Sequence, residues 1–221
     1  RALAGGEPFK QPVTNIRAIA VIDPLAAMQV FARQGSDFQS FEQVRRDKKP
    51  IRVALNQRGT MMALAGEELL AAKGIPAKDI EAWGGKVHYV AYNEGLEMMK
   101  NKQVDLIVNL LAFPSGQVAS ATREMPVQMV GLTPEVQGAL QKSLGMMPIE
   151  VPAKTYDFQP AAVPSATATV VLVANASMSD EDAGKIVSAM LRNMDFLKQS
   201  HAMMRQLDPA DFLKVGELGD L

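Results

Sequence analysis

Residues 51–74 constrain the fold of this chain most, because they read as a strand, a tight turn and a helix in direct succession. Apolar residues alternate at the start of IRVALNQRGTMMALAGEELLAAKG, Gly59 interrupts the alternation, and Thr60 can cap a helix. From Met61 onwards nearly all residues are strong helix formers, and Gly74 is placed to end the helix. The segment therefore predicts one complete strand–helix unit.

The turn of this unit also predicts an anion site. It would direct unpaired backbone N–H groups and the positive end of a helix dipole at whatever lies above it. We expect the contacts to come from Gly59, Thr60 and Met61, and Arg58 could add a bidentate contact to a carboxylate. An ordinary helix cap and a solvated arginine are the alternatives, since most strand-to-helix turns bind nothing.

The remainder of the chain continues the alternation. Strands are predicted at residues 16–22, 28–32, 87–91, 104–111, 127–132, 147–151 and 167–174, and helices at 38–46, 94–102, 134–145 and 179–197. Strands that alternate with helices are typical of an α/β protein with a mainly parallel sheet.

Two aromatic residues are further candidates for ligand contacts. Phe113 follows a buried strand, at the end where open α/β sheets place ligands, although simple packing is the alternative. The hydroxyl of Tyr156 could bond a ligand or serve the structure. Asn109 lies on the strand that precedes Phe113, and its amide is expected to bond backbone groups more often than a solute.

Composition excludes several functions. The formal net charge is −1, which argues against a nucleic-acid partner, and the absence of cysteine excludes thiolate metal sites and disulfides. No run approaches the ~18 apolar residues of a membrane-spanning helix. The 14 methionines favour flexible core filling over a soft-metal site, because adjacent methionines on a helix face different directions. We expect no metal and no cofactor.

Several short motifs then occur in a fixed order. The first resembles a loop of small residues and Phe followed by an RAIA strand, and here it reads GGEPFKQPVTNIRAIAVI. The second resembles a VGxxGSGT turn and reads VALNQRGT. The last two resemble a DAxxxxAGxP strand, here VDLIVNLLAFPSG, and a PAGTYxGQxxxVPT motif, here PAKTYDFQPAAVPS. These motifs are similar to those of the TAXI family, the extracytoplasmic solute receptors of TRAP-type transporters. The resemblance covers essentially the whole chain.

This resemblance implies a type II periplasmic-binding-protein fold with two α/β lobes and a small organic anion in the cleft between them. It assigns residues 1–50 and 166–221 to a remnant of the first lobe with hinge strands, and residues 51–165 to the second lobe. The implied ligand is an acidic amino acid or dicarboxylate such as glutamate, delivered in the periplasm to TRAP membrane permease subunits.

The chain also departs from the family pattern. Gln57 and Arg58 replace a Gly-Ser pair in the turn, and Lys154 and Phe158 replace glycines around Tyr156. The strand–helix unit that opens the family's first lobe has no counterpart, so the first lobe is expected to be incomplete. Missing strands would leave sheet edges exposed, which suggests a homodimer or strand exchange.

Two other classes of function stay open on the sequence. A ligand-sensing effector domain of a regulator can share the fold, and it would carry a DNA-binding segment before Arg1. An enzyme on the same scaffold is disfavoured, because the chain has no recognisable set of nucleophile, base and acid and no phosphate-binding loop followed by lysine.

Overall fold

A computed structural model describes residues 5–6, 9–200, 204–205 and 207–215. Glu7 and Pro8 of the first family-like motif lie outside the described residues. The chain divides into two compact units, residues 1–26 with 168–221, and residues 27–167. In the described chain, no helix has the length and apolar character needed to cross a membrane.

The strands form one open sheet. They are β1 (Ile16–Arg33), β2 (Arg52–Leu55), β3 (Lys86–Tyr89), β4 (Leu106–Leu111), β5 (Val127–Met129), β6 (Met147–Val151) and β7 (Val163–Asn175). Their order is β3-β2-β4-β1-β7-β6, and β5 also pairs with β1. The α/β class predicted from the sequence is confirmed. Strand β2 is parallel to β3 and β4, as expected, whereas β1 is antiparallel to β4 and β5, and β6 to β7. The sheet is therefore mixed rather than mainly parallel.

Strand β1 differs from the prediction. The sequence predicts two strands separated by Asp23 and Pro24, but β1 continues from Ile16 to Arg33. It pairs with β4 only from Ala27 onwards, so the missing N–H of Pro24 leaves no gap in that ladder.

Helices cover the sheet of the larger unit. They are α1 (Phe41–Asp47), α2 (Met61–Ala72), α3 (Ala77–Ala82), α4 (Tyr92–Lys100), α5 (Gly116–Ala121) and α6 (Pro134–Leu144). The predicted strand–turn–helix unit is confirmed, with Thr60 as the N-cap of α2 and Gly74 at φ +70° after its end. Helix α4 begins at Tyr92, two residues before the start predicted from the sequence.

Helix α1 belongs to the larger unit, although the family resemblance assigns residues up to 50 to the other lobe. The Nζ of Lys73, just after α2, lies 3.0 Å from the Oε1 of Glu42 on α1. This contact joins α1 to α2. The division into functional lobes stays a prediction, and the compact units are the observed division.

The smaller unit contains the N-terminal part of β1, the C-terminal part of β7, and helices α7 (Asp180–Arg192), α8 (Met194–Ser200) and α9 (Pro209–Phe212). Its core is built on Ala20, Met194, Leu207 and Phe212. The helix predicted to run to residue 197 is interrupted at Asn193, whose Nδ2 donates to the carbonyl of Ala189.

The two edge strands of the sheet are poorly suited to the strand pairing that a homodimer through exposed sheet edges would need. Strand β3 is four residues long and begins with Lys86, and β6 carries Pro148, which cannot donate to a further strand. Both features discourage pairing with another chain. The homodimer stays a prediction.

Candidate functional site

A recess lies where strands β2, β3 and β4 end. Because β2 is parallel to both neighbours, the carboxyl ends of the three strands meet at one edge of the sheet. The recess has about 160 Å³ of empty space, part of which is open to solvent. Its walls are Ala54, Leu55, Asn56, Val90, Ala91, Tyr92, Gly95, Ile107, Val108 and Asn109. Open α/β sheets bind ligands at this edge.

Small residues keep the recess open. Gly95 lies on α4, and a Cβ at this position would stand 3.4 Å from the Cβ of Ala54 and 3.8 Å from Cγ2 of Val90. A single methyl group would thus occupy space between the helix and the strands.

Two asparagines form the polar side of the recess. The Oδ1 of Asn109 accepts from the backbone N–H of Leu110 at 2.9 Å, which is the backbone bond expected from the sequence. It also accepts from Nδ2 of Asn56 at 3.3 Å, and the same Nδ2 lies 3.4 Å from Sδ of Met62. Both contacts of the Asn56 amide nitrogen are long or weak, and the Oδ1 of the same amide accepts from the N–H of Gln57 at 2.7 Å, which holds the side chain in place.

Tyr92 contributes the second polar group. Its hydroxyl oxygen is buried and has no hydrogen-bond partner among the described residues. Burial raises the pKa of Tyr92, and the nearby Tyr156 hydroxyl raises it further. The phenol therefore stays protonated and keeps a proton to donate.

Sequence reasoning missed Asn56 and Tyr92. A signal for Asn56 existed, because a polar residue directly after a buried strand lies at the carboxyl edge of a parallel sheet. Tyr92 gave no signal, since its position at the recess depends on how α4 packs over the sheet.

The predicted anion turn stands beside the recess. Gly59 has φ +84° with open space around it, and the side chain of Met61 is exposed. The hydroxyl of Thr60 accepts from the N–H of Ala63 at 3.1 Å and donates to the carbonyl of Gln57 at 2.7 Å. Thr60 thus acts as a helix cap. In the described chain the backbone N–H groups of Met61 and Met62 have no partner, and they are the donors left for an anion.

Arg58 has protein partners. Its guanidinium carbon lies 3.4 Å from the centre of the Tyr89 ring, and its Nη1 lies 3.6 Å from Oε1 of Glu67. The Tyr89 hydroxyl donates to the same Glu67 oxygen at 2.5 Å. Burial and this hydrogen bond raise the pKa of Tyr89 to about 12. Arg58 joins the turn to β3, and its role as a carboxylate clamp stays a prediction.

Phe113 and Tyr156 are buried, and in the described chain neither lies in the wall of the recess. The Tyr156 hydroxyl donates to Oε1 of Gln29 at 2.6 Å and accepts from the N–H of Ser115 at 3.0 Å. Its ring stacks on Phe158 at 5.6 Å. These contacts give Tyr156 a structural role, and ligand contact by either aromatic residue stays a prediction.

Tyr156→Phe is expected to lower the free energy of unfolding by about 1–3 kcal/mol, because it leaves the buried Gln29 amide oxygen and the Ser115 N–H without their partner. Urea denaturation measures this loss. The matched control is Tyr92→Phe, which removes a hydroxyl that has no partner among the described residues and should not lower stability. Equal midpoints for wild type and Tyr156→Phe would contradict the structural role.

Metal binding has no support in the described part of the chain, where no group of three His, Cys, Asp or Glu side chains could hold an ion. The donors of the recess are an amide and a phenol, which suit an organic ligand better than a cation.

Comparison with known proteins gives one family. The sequence pattern of the NMT1-like family matches residues 1–218. No curated protein sequence matches the chain.

Several solved structures are similar in fold. The periplasmic binding protein BugD aligns with 89% of this chain and 58% of its own, at 16% identity and a TM-score of 0.48. The ligand-binding component of an ABC-type import system from Staphylococcus aureus aligns with 90% of this chain and 57% of its own, at 14% identity and a TM-score of 0.47. A TctC solute-binding protein from Polaromonas aligns with 92% and 62%, at 10% identity and a TM-score of 0.44. The chain thus spans less than two thirds of each of these proteins, and all three are named as binding proteins.

Proposed function

The chain belongs to the NMT1-like family, and on that premise we propose that it is a solute-binding receptor that captures a small organic anion without chemical conversion. The observation that carries the proposal is the recess at the carboxyl ends of β2, β3 and β4, next to the N-terminus of α2. An organic ligand would contact there an apolar wall and the backbone N–H groups of a helix start.

The charge of the solute follows from the surroundings of the recess. The N–H groups of Met61 and Met62 and the dipole of the 12-residue helix α2 favour a negative group. Arg58 adds a positive charge at the turn, weakened by its pairing with Glu67. The space of the recess includes open solvent, so the recess does not enclose a ligand by itself. It therefore forms one wall of the site rather than the whole of it.

More specifically, we propose that the chain is a TAXI-type receptor of a TRAP transporter. It would act in the periplasm, bind glutamate or another acidic amino acid or dicarboxylate, and deliver it to membrane permease subunits. The ordered family-like motifs support this form, and the N–H groups of Met61 and Met62, which have no partner in the described chain, support the anion contact. Ligand contacts from Arg58, Gly59, Thr60, Met61, Phe113 and Tyr156 belong to the same proposal.

A thermal-shift screen of the complete chain tests the function. Glutamate, 2-oxoglutarate and glutarate are compared with uncharged solutes of the same size, such as glutaramide. At a hundredfold excess over its Kd an acid should stabilise the protein by about 2.7 kcal/mol, which raises the melting temperature by roughly 5 °C or more. If uncharged solutes raise the melting temperature and no acid does, the anion proposal fails.

A further inference from the structure

Helix α7 is only partly covered by the rest of the described chain. It is the longest helix described, with 13 residues, yet none of its side chains is buried. The shorter helices α2, α4 and α6 each bury at least two residues. An amphipathic helix of a globular protein normally buries a whole apolar stripe against its neighbours. The smaller unit therefore leaves part of the α7 surface available to a partner.

The apolar residues of α7 and α8 lie on two neighbouring sides. One side packs against the core of the smaller unit and includes Val187, Met190 and Leu191. On the other side Ile186, Ala189 and Phe196 recur at helical spacing. Ala189 is exposed, and Phe196 is 70% exposed. This second side is the surface that lacks a cover.

The smaller unit also holds most of the large apolar side chains that the described chain leaves exposed. They are Phe9, Val173, Phe196 and Leu213 in the smaller unit, against Met61 and Met147 in the larger one. Exposed apolar residues concentrated in one part of a protein mark an interaction surface.

The charges along α7 favour a second copy of the chain as the partner. The first turn carries Asp182 and two further acidic residues, and the last turn carries Arg192. A partner of a single sign would be attracted to one end of the helix and repelled by the other. A second α7 that runs antiparallel brings each acidic turn beside the partner's Arg192 and opposes the two helix dipoles.

We propose that the chain forms a symmetric homodimer in which α7 and α8 of one copy pack antiparallel against α7 and α8 of the other. Ile186 and Ala189 lie at the crossing point, and Phe196 packs farther out on each side. Asp182 of each copy pairs with the partner's Arg192 at the rim. This interface differs from pairing through the sheet edges, which β3 and β6 discourage. It is also independent of the bound solute.

Sedimentation equilibrium between about 1 and 100 μM measures the dimer and its Kd. We expect Phe196→Ser to raise this Kd at least about tenfold, because aromatic side chains carry much of the binding energy of an interface. The matched control is Met147→Ser, which removes another exposed apolar side chain from the edge strand β6 and should leave the Kd unchanged. Both side chains are exposed in the single chain, so both variants should fold.

Charge reversal tests the antiparallel arrangement. Arg192→Glu alone should raise the Kd about fivefold, because it places like charges together at both symmetric positions. Asp182→Lys combined with Arg192→Glu should restore the wild-type Kd, since the pair is rebuilt with its signs exchanged. Circular dichroism checks that each variant keeps its helices.

Three results would overturn the inference and leave the proposed function standing. The first is a single species of one chain's mass throughout this concentration range, whatever other partner then covers α7. The second is a Kd that Met147→Ser raises and Phe196→Ser does not, which places the interface at the sheet edge. The third is a double charge variant that dimerises no better than Arg192→Glu.

Discussion

Replacing Asp105 with asparagine is expected to lower the free energy of unfolding by about 3 kcal/mol. The Asp105 carboxylate lies just before β4 and accepts from Nε of Arg52 at 3.0 Å, from Nη2 of Arg52 at 2.7 Å and from Nη2 of Arg33 at 3.0 Å. Its side chain is only 6% exposed, and that of Arg33 is 14% exposed. Asparagine would leave the Arg33 guanidinium largely buried without a counter-charge, which is the costly way to break an ion pair.

The matched control is Asp47→Asn. Asp47 pairs with Arg46 at 2.7 Å, but both side chains are exposed to solvent, so this pair should contribute little to the free energy of unfolding. Urea denaturation near neutral pH measures both variants. Similar midpoint shifts for the two would show that burial does not strengthen the Asp105 cluster.

Acid should remove the difference between wild type and Asp105→Asn. Burial alone would raise the pKa of Asp105, but hydrogen bonds from the Arg52 side chain and backbone outweigh it and hold this pKa below its ordinary value. A carboxyl group whose pKa is lower in the folded state stabilises the fold fully above its unfolded pKa, about 3.9. The two unfolding curves are therefore expected to converge as the pH falls below about 4, and a constant difference at all pH values would contradict this.

The Asp105 cluster was not visible in the sequence, because Arg33, Arg52 and Asp105 are distant along the chain. By contrast, helix α2 was predictable to its limits, since Thr60, the run of helix formers and Gly74 are all local signals. Local sequence signals were sufficient to predict single helices and strands, whereas contacts between distant residues depend on the tertiary fold and could not be predicted. Pro24 is the opposite case, since a strong local signal for a strand end did not end β1, which continues from Ile16 to Arg33.

Part of the candidate site could be predicted from local sequence and part could not. The capped turn at residues 57–60 could be predicted, because its geometry depends on neighbouring residues. The recess could not, since Asn56, Tyr92 and Gly95 meet only when β2 pairs with β3 and β4 and α4 packs over them. Tyr156 illustrates the limit for single residues: its hydroxyl is bonded to Gln29 and Ser115, neither of which its own motif contains.

Gly95→Ala is expected to weaken binding of the most stabilising acid of the thermal-shift screen at least tenfold while it stabilises the apo protein. The new methyl group would stand at ordinary contact distance from Ala54 and Val90, so it fills the recess without a clash. Inside α4 the change from glycine to alanine should add roughly 0.5–1 kcal/mol to the free energy of unfolding. Titration calorimetry measures the affinity and urea denaturation the stability.

The matched control for this change is Gly138→Ala. Gly138 lies within α6, is exposed, and has nothing within 4 Å of the position of a Cβ. It should show the same gain in stability from helix propensity, with the affinity for that acid unchanged. Because both variants stabilise a helix, a loss of affinity confined to Gly95→Ala can come only from the space that its methyl group occupies. Equal affinities in both variants and wild type would place the solute elsewhere on the protein.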